Sequence, residues 1–352
     1  MQSFIYEPLP GRVVFGAGAL DQLAAEMERL RLAKVLLLST PHHRQMSEDI
    51  AAALGRRCAG VYDQVAMHVP LEAAQAARAE AVKRGAQGCV ALGGGSTVGL
   101  GKAIALAYDL PIIAVPTTYA GSEMTPIWGI TENGIKKTGR DAKVLPRTVI
   151  YDPRLTLSLP ARLSAVSGMN AMAHAVEGLY AQDANPIVSL MAEEGIRALA
   201  AALPLIHADP QDLSARSDAL YGAFLCGATL GAVGMALHHK ICHALGGAFN
   251  LPHAEMHTII LPHAAAYNRA AAPGAMAKAA RALRADDAPG ALYDLARRLD
   301  APLALKDLGL ARGDLGRAAD LIVERPYWNP APVDRTKIRN LLERAWSGLP
   351  PE

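Results

Sequence analysis

Cys89-Val90-Ala91-Leu92-Gly93-Gly94-Gly95-Ser96-Thr97-Val98-Gly99-Leu100-Gly101-Lys102, running on into Ala103-Ile104-Ala105-Leu106-Ala107, decides the fold. Four apolar residues in a row predict a buried strand, the glycines a tight turn, and the run beyond them a helix. Successive glycines let a phosphate approach the backbone, and the N–H groups and dipole of the new helix favour its charge. The stretch is not the usual G-x-G-x-x-G, and alone it reads more readily as a tight turn with no ligand. The next apolar run, Ile112–Val115, ends in Pro116-Thr117-Thr118-Tyr119-Ala120-Gly121-Ser122-Glu123. Hydroxyls and a second glycine turn thus fall at the end of a neighbouring strand, where open α/β sheets bind ligands. The expectation is a dinucleotide cradle built on Gly94, Gly95, Ser96, Thr97, Thr117, Thr118 and Ser122; a phosphate-bearing substrate is the alternative.

Working outward, Val35–Leu38 and Val149–Tyr151 read as further strands, alternating with helical stretches in the manner of a parallel sheet. Beyond Pro160 the chain turns to Ala, Leu, Met and Arg with apolar residues at helical spacing, and prolines at Pro210, Pro252, Pro273 and Pro302 mark helix ends. The fold class expected is an α/β N-terminal Rossmann-like dinucleotide-binding domain over residues 1–157, followed by an all-helical C-terminal catalytic domain over 158–352. A chain of 352 residues is long enough for two cores.

Lys and Arg number 35 against 33 Asp and Glu, so no broad basic field exists to hold nucleic acid or anionic lipid, and neither partner is expected. Apolar stretches break well short of a membrane span, and Met1–Tyr6 lacks a basic leader. The four cysteines are far apart with no C-x-x-C pair, as suits reduced thiols; the cytoplasm is the expected compartment. The Val35–Leu38 strand ends in Ser39-Thr40-Pro41, where an acidic residue usually bonds the ribose 2′-hydroxyl and repels a 2′-phosphate. No acidic residue stands there, and His42, His43 and Arg44 follow, so both NADH and NADPH are compatible; an ordinary solvated helix start is the plain alternative.

His239 and His243 share a helix face, His253 follows after a turn at Asn250-Leu251-Pro252, and Asn170 and His174 have the same four-residue spacing on another helix. A lone histidine in such a helix is usually a core or surface residue, whereas two such pairs and a third His point to a binding or catalytic site. Three imidazoles with a carboxylate would suit a divalent ion, but the fourth side chain is Asn170, a neutral amide, so no metal is expected.

Gly94-Gly95-Ser96, Pro116-Thr117-Thr118, the Asn170/His174 pair and the His239/His243/His253 set resemble, in that order and over nearly the whole chain, the iron-containing alcohol dehydrogenase superfamily. There an Asp and three His hold the metal, at the positions of Asn170, His174, His239 and His253, and His243 matches a further active-site histidine. Gly99, where many members carry Asp, and Ala254, where many have Gly, also depart from the pattern. Thr117–Pro126, Lys137-Thr138-Gly139-Arg140-Asp141 and His253-Ala254-Glu255-Met256-His257 look like one branch, the maleylacetate reductases. That resemblance implies reduction of the enone double bond of maleylacetate to 3-oxoadipate with NADH or NADPH, late in breakdown of resorcinol-type or halogenated aromatics. It also implies no metal, and a homodimer.

Hydride delivered to the alkene carbon β to the ketone leaves an enolate, which needs preorganised donors if no metal is present. His243 and His253 are the expected donors or proton relays, with His239 and His174 positioning them and a histidine as general acid. Lys137 is also placed in the catalytic set. Lys136, Lys137, Arg140 and Lys143 cluster just before the domain boundary and would hold the dicarboxylate substrate, if not merely a solvated basic loop. Tyr327, in Tyr327-Trp328-Asn329-Pro330, either closes the site or packs as a loop. Two other readings remain open: an iron- or zinc-dependent alcohol dehydrogenase that tolerates Asn170 as a weak ligand, and a nucleotide-binding protein without turnover.

Overall fold

Among the described residues, eight strands form in the first part of the chain: β1 (Arg12–Phe15), β2 (Val35–Leu38), β3 (Cys58–Tyr62), β4 (Gly88–Gly93), β5 (Ile112–Pro116), β6 (Ile127–Glu132), β7 (Ile135–Arg140) and β8 (Thr148–Tyr151). Between them run α1 (Leu23–Arg29), α2 (Arg44–Leu54), α3 (Leu71–Lys83) and α4 (Gly95–Tyr108). Six strands make one sheet in the order β1-β8-β5-β4-β2-β3, with every pairing parallel. β2, β4, β5 and β8 are buried along their whole length, which is why they appear in the sequence as unbroken apolar runs. One core on the sheet gathers Leu37, Val90, Leu92, Ile113, Val115 and Ile150 with α1 and α2; the other gathers Leu36, Leu38 and Cys89 with α3 and α4. β6 and β7 pair antiparallel as a separate hairpin.

The order of the strands locates a ligand crevice. From β2 the chain steps to β3 on one side and then returns to β4 on the other, so winding reverses between β2 and β4. Adjacent connections leave the sheet in opposite directions there, and the carboxyl ends of those two strands are where doubly wound sheets take ligands.

The structure, a computed structural model, describes residues 4, 6–9, 11–67, 69–132 and 135–352. It divides into two compact units, one of Leu9–Leu159 and one of Pro160–Glu352 with the described residues of Met1–Pro8. The second unit is helical: α5 (Ala161–Leu179), α6 (Pro186–Ala208), α7 (Leu213–Ala232), α8 (Leu237–Phe249), α9 (His253–Asn268), α10 (Pro273–Leu283), α11 (Ala288–Arg298), α12 (Leu315–Val323) and α13 (Arg335–Ser347). Side chains of Asn185, Asp212, Asp287 and Asp334 accept backbone N–H groups at the starts of α6, α7, α11 and α13. α5 is buried from Ser164 through Leu179 and packs against α6, α7 and α9, the position of a central helix. No single helix among the described residues is long and apolar enough to cross a membrane.

Candidate functional site

At the crevice between β2 and β4 the glycine turn is shaped by close packing. Gly93 sits at φ 149°, and a Cβ on Gly94 would lie 3.0 Å from the Thr118 side chain, so the loop after β5 lies against a bare backbone. Thr117 N–H donates to Gly93 O at 3.2 Å, which joins the two turns, and Thr97 N–H donates to Gly94 O at 3.0 Å within the glycine turn. Gly99 is a packing position too: a Cβ there would meet Val69 Cγ2 at 2.9 Å, so any side chain would have to displace it.

Three hydroxyls, Ser39 Oγ after β2, Thr97 Oγ1 in the first turn of α4 and Thr117 Oγ1 after β5, are buried without a partner among the described residues. Native structures satisfy nearly all such atoms, so three together mark a place for a polar ligand. Ser96 and Ser122 stand half-buried beside them. The loop after β5 is pinned from below by fully buried Lys102, whose Nζ donates to Ser122 O, Thr125 O, Thr125 Oγ1 and Ile127 O at 2.7–2.9 Å. Burial pushes Lys102 down to about 7, opposed by the Glu123 carboxylate. Glycine backbone bare of Cβ atoms, partnerless hydroxyls and a helix N-terminus at a switch point fit a dinucleotide.

In the helical unit the sequence-predicted histidines come together. α5 carries Asn170 and His174, α8 carries His239 and His243, and α9 starts at His253. The His174 and His239 rings stack at 5.2 Å, and His243 stands edge-on to His239 at 6.0 Å. His174 and His239 are buried, His253 is half-buried and His243 is exposed, so the last two are the ones a solute reaches.

Three residues outside the predicted set complete the cluster. Glu177, fully buried on α5, accepts from His239 Nδ1 at 2.5 Å through Oε2, and from Ala236 N at 3.2 Å and His238 N at 2.8 Å through Oε1. α8 has no side-chain cap of its own, so this carboxylate meets its first N–H groups and the positive end of its dipole. An ionised carboxylate only accepts, so the proton between it and His239 lies on Nδ1 and leaves Nε2 as the lone-pair nitrogen. His238 Nε2 and His257 Nδ1 share a hydrogen bond of 2.9 Å, and His257 sits 4.2 Å from His253 ring to ring. Burial first, and neighbouring imidazoles second, hold His174, His238 and His257 well below the ordinary histidine range. These three are neutral near pH 7.

The four positions that correspond to the metal ligands of the resembled superfamily carry no carboxylate. They supply a neutral amide and imidazoles, whereas such sites include a carboxylate. Glu177, the carboxylate in the cluster, has both oxygens committed to α8 and His239. Asn170 Oδ1 and His174 Nδ1 are buried without partners among the described residues and mark room for a polar group of a ligand.

The basic residues singled out just before the domain boundary are all exposed. Lys136, Lys137 and Arg140 lie exposed on β7, where Lys137 pairs with Glu132, and Lys143 follows in an exposed turn. Tyr327 is half-buried against the core shared by α8, α9, α12 and α13, with Lys240 Nζ 5.7 Å from its ring, and its hydroxyl is buried without a partner among the described residues. Asn329 holds that loop through a reciprocal amide pair with Asn268 at 2.7 and 3.0 Å.

Comparison with known proteins follows the two units. A family model for iron-containing alcohol dehydrogenase matches residues 10–153, and a model for the C-terminal part of the Fe-containing alcohol dehydrogenase family matches 164–346. A maleylacetate reductase of Burkholderia cepacia is 59% identical over 351 residues, covering 100% of both chains. Crystal structures of maleylacetate reductase from Rhizobium sp. strain MTP-10005 and from Agrobacterium tumefaciens are 53% and 52% identical, each covering 100% of both chains with a TM-score of 0.96.

Proposed function

Because this chain belongs to the iron-containing alcohol dehydrogenase family, we propose that it reduces maleylacetate to 3-oxoadipate with NADH or NADPH and without a metal, as a cytoplasmic homodimer in aromatic-compound breakdown. Its relatives of the same length and more than half identical sequence bear the name of that activity. The observation that carries the metal-free reading is Asn170: the position offers no negative charge, and the nearby carboxylate of Glu177 is spent on α8 and His239.

The first unit holds the nicotinamide cofactor with its glycine turn, Gly94 and Gly95, the hydroxyls of Ser39, Thr40, Ser96, Thr97, Thr117 and Thr118, and Ser122. When bound, that cofactor supplies the hydride for the alkene carbon β to the ketone. Negative charge then develops on the ketone oxygen, and the accessible imidazoles of His243 and His253 stabilise it by donating hydrogen bonds. His239, fixed by Glu177, and His174, stacked on it, position the cluster. One imidazole of the cluster protonates the α carbon, a step suited to a group whose ordinary pKa lies near neutrality. Asn170 and Tyr327, with partnerless buried polar atoms, take substrate oxygens. Lys136, Lys137 and Arg140 supply positive charge for the two carboxylates.

The test is a steady-state assay with maleylacetate and each nicotinamide after exhaustive chelation. Full activity is expected; loss of activity that iron or zinc restores would overturn the metal-free reading in favour of a metal-dependent alcohol dehydrogenase.

A further inference from the structure

β2 hands over through Ser39 and Thr40 to the tight turn Pro41–His43 and then to α2, which Arg44 opens. This handover lies at the carboxyl end of β2, beside the glycine turn, where winding reverses. A dinucleotide whose pyrophosphate sits at the glycine turn extends its adenosine ribose toward the neighbouring strand end. Ser39 is fully buried there with its Oγ unpartnered, and Thr40 Oγ1 is hydrogen-bonded to His43 Nδ1 at 3.0 Å.

A carboxylate at such a strand end bonds the 2′-hydroxyl of NADH and repels the 2′-phosphate of NADPH, whereas an arginine nearby accommodates that phosphate. In this chain the carboxylate stands one strand further out. Asp63, directly after β3, forms an ion pair with Arg44, and its other oxygen accepts from Gln64 Nε2 at 2.9 Å. The Arg44 side chain is 58% exposed and that of Asp63 is 20% exposed, so the guanidinium is not locked into the core. Exposed ion pairs are weak, and a guanidinium meets a phosphate with two parallel N–H donors.

We propose that Arg44 is the receptor for the 2′-phosphate of NADPH, and that Asp63 is the counter-ion competing for the same guanidinium, so that the pair sets the ratio in which the two nicotinamides are used. This rests on the cofactor reading given above. With NADH bound, Arg44 stays on Asp63, and the serine and threonine hydroxyls face the ribose. With NADPH bound, the guanidinium exchanges carboxylate for phosphate.

The experiment measures dissociation constants of NADH and NADPH by fluorescence without substrate, together with kcat/KM for each nicotinamide with maleylacetate. Arg44→Ala is expected to weaken NADPH in both measurements by about tenfold or more, the value of a lost charge-assisted hydrogen bond, and to move NADH by less than about twofold. Arg44→Lys, which keeps the charge and loses the fork, falls between wild type and Arg44→Ala. Asp63→Asn, which frees the guanidinium, raises the NADPH to NADH ratio by about threefold or more. An Arg44→Ala variant that weakens both nicotinamides alike, or neither, overturns the assignment. A wild-type protein that binds neither nicotinamide overturns the cofactor reading itself. Discrimination in binding without turnover of maleylacetate upholds the role of Arg44 and overturns the proposed substrate.

Discussion

Replacing Glu177 with Gln separates the two duties of that side chain. The amide oxygen still accepts from Ala236 N and His238 N, so those two N–H groups keep their partner, but an NH2 group replaces Oε2, which accepts from His239 Nδ1 and, at 3.4 Å, from His239 N. Two donors cannot share a proton, so His239 must surrender Nδ1–H and carry its proton on Nε2, the nitrogen that otherwise offers a lone pair. A charge-assisted hydrogen bond is worth about 1.5–3 kcal/mol, and at about 1.4 kcal/mol per tenfold in rate the loss corresponds to about a 10–150-fold fall in kcat. The effect on stability is smaller, because what is lost is one charge at a helix N-terminus, about 1 kcal/mol and a few degrees in Tm. Glu177→Ala, which leaves three backbone N–H groups unmet, costs more stability. The assays are steady-state kcat with saturating maleylacetate and NADH, thermal unfolding, and nitrogen NMR of labelled histidine to read the tautomer. A Gln variant with kcat within about twofold of wild type and an altered His239 tautomer refutes the reasoning, since the orientation of that ring would then not matter to the reaction.

Asn170→Asp restores a carboxylate beside His174 on α5; elemental analysis of the purified variant is expected to find about one iron or zinc per chain, well above wild type. Equal metal content in the two proteins refutes the claim that charge at position 170 decides retention. His263, buried with its Nε2 unpartnered, is pushed down to about 4, first by burial and second by Arg344. The unfolded chain takes up a proton near pH 6.5 that the folded chain refuses until about pH 4. Stability therefore rises with pH across that window and is lost as pH falls through it, by at most about 3 kcal/mol. His263→Leu is expected to shrink the difference between urea midpoints at pH 7 and pH 5, and an unchanged difference counts against it.

The elements legible in the sequence are those whose burial is one-sided or complete. β2, β4 and β5 announce themselves as apolar runs because both faces are covered, and the glycine turn is visible because its geometry demands residues without a Cβ. β1 and β3, the two edges of the sheet, alternate burial weakly and carry Arg12, Cys58 and Gly60, so they offer no run to read. The β6–β7 hairpin has a signal that was available, the Asn133-Gly134 pair between two extended stretches. His257 lies four residues beyond His253 and Glu177 three beyond His174, both within helical reach of residues already singled out. The capping of α8 by Glu177 had no such signal. It joins helices whose residues are about sixty apart in the chain, and only tertiary packing brings that carboxylate to those N–H groups.

The pairing of β1 with β8 bears on how the chain is made. Arg12 lies opposite Thr148 and Phe15 opposite Tyr151, and β8 is the sheet neighbour of β1. On a ribosome adding about 5–20 residues per second, β1 emerges roughly ten seconds or more before its partner. Throughout that interval Val13, Val14 and Phe15 are an unpaired apolar edge. The sheet closes only when nearly all of Leu9–Leu159 has left the exit tunnel, so slow decoding well beyond Tyr151, once β8 has cleared the tunnel, favours correct folding, and a stall before that point leaves a fragment prone to aggregate.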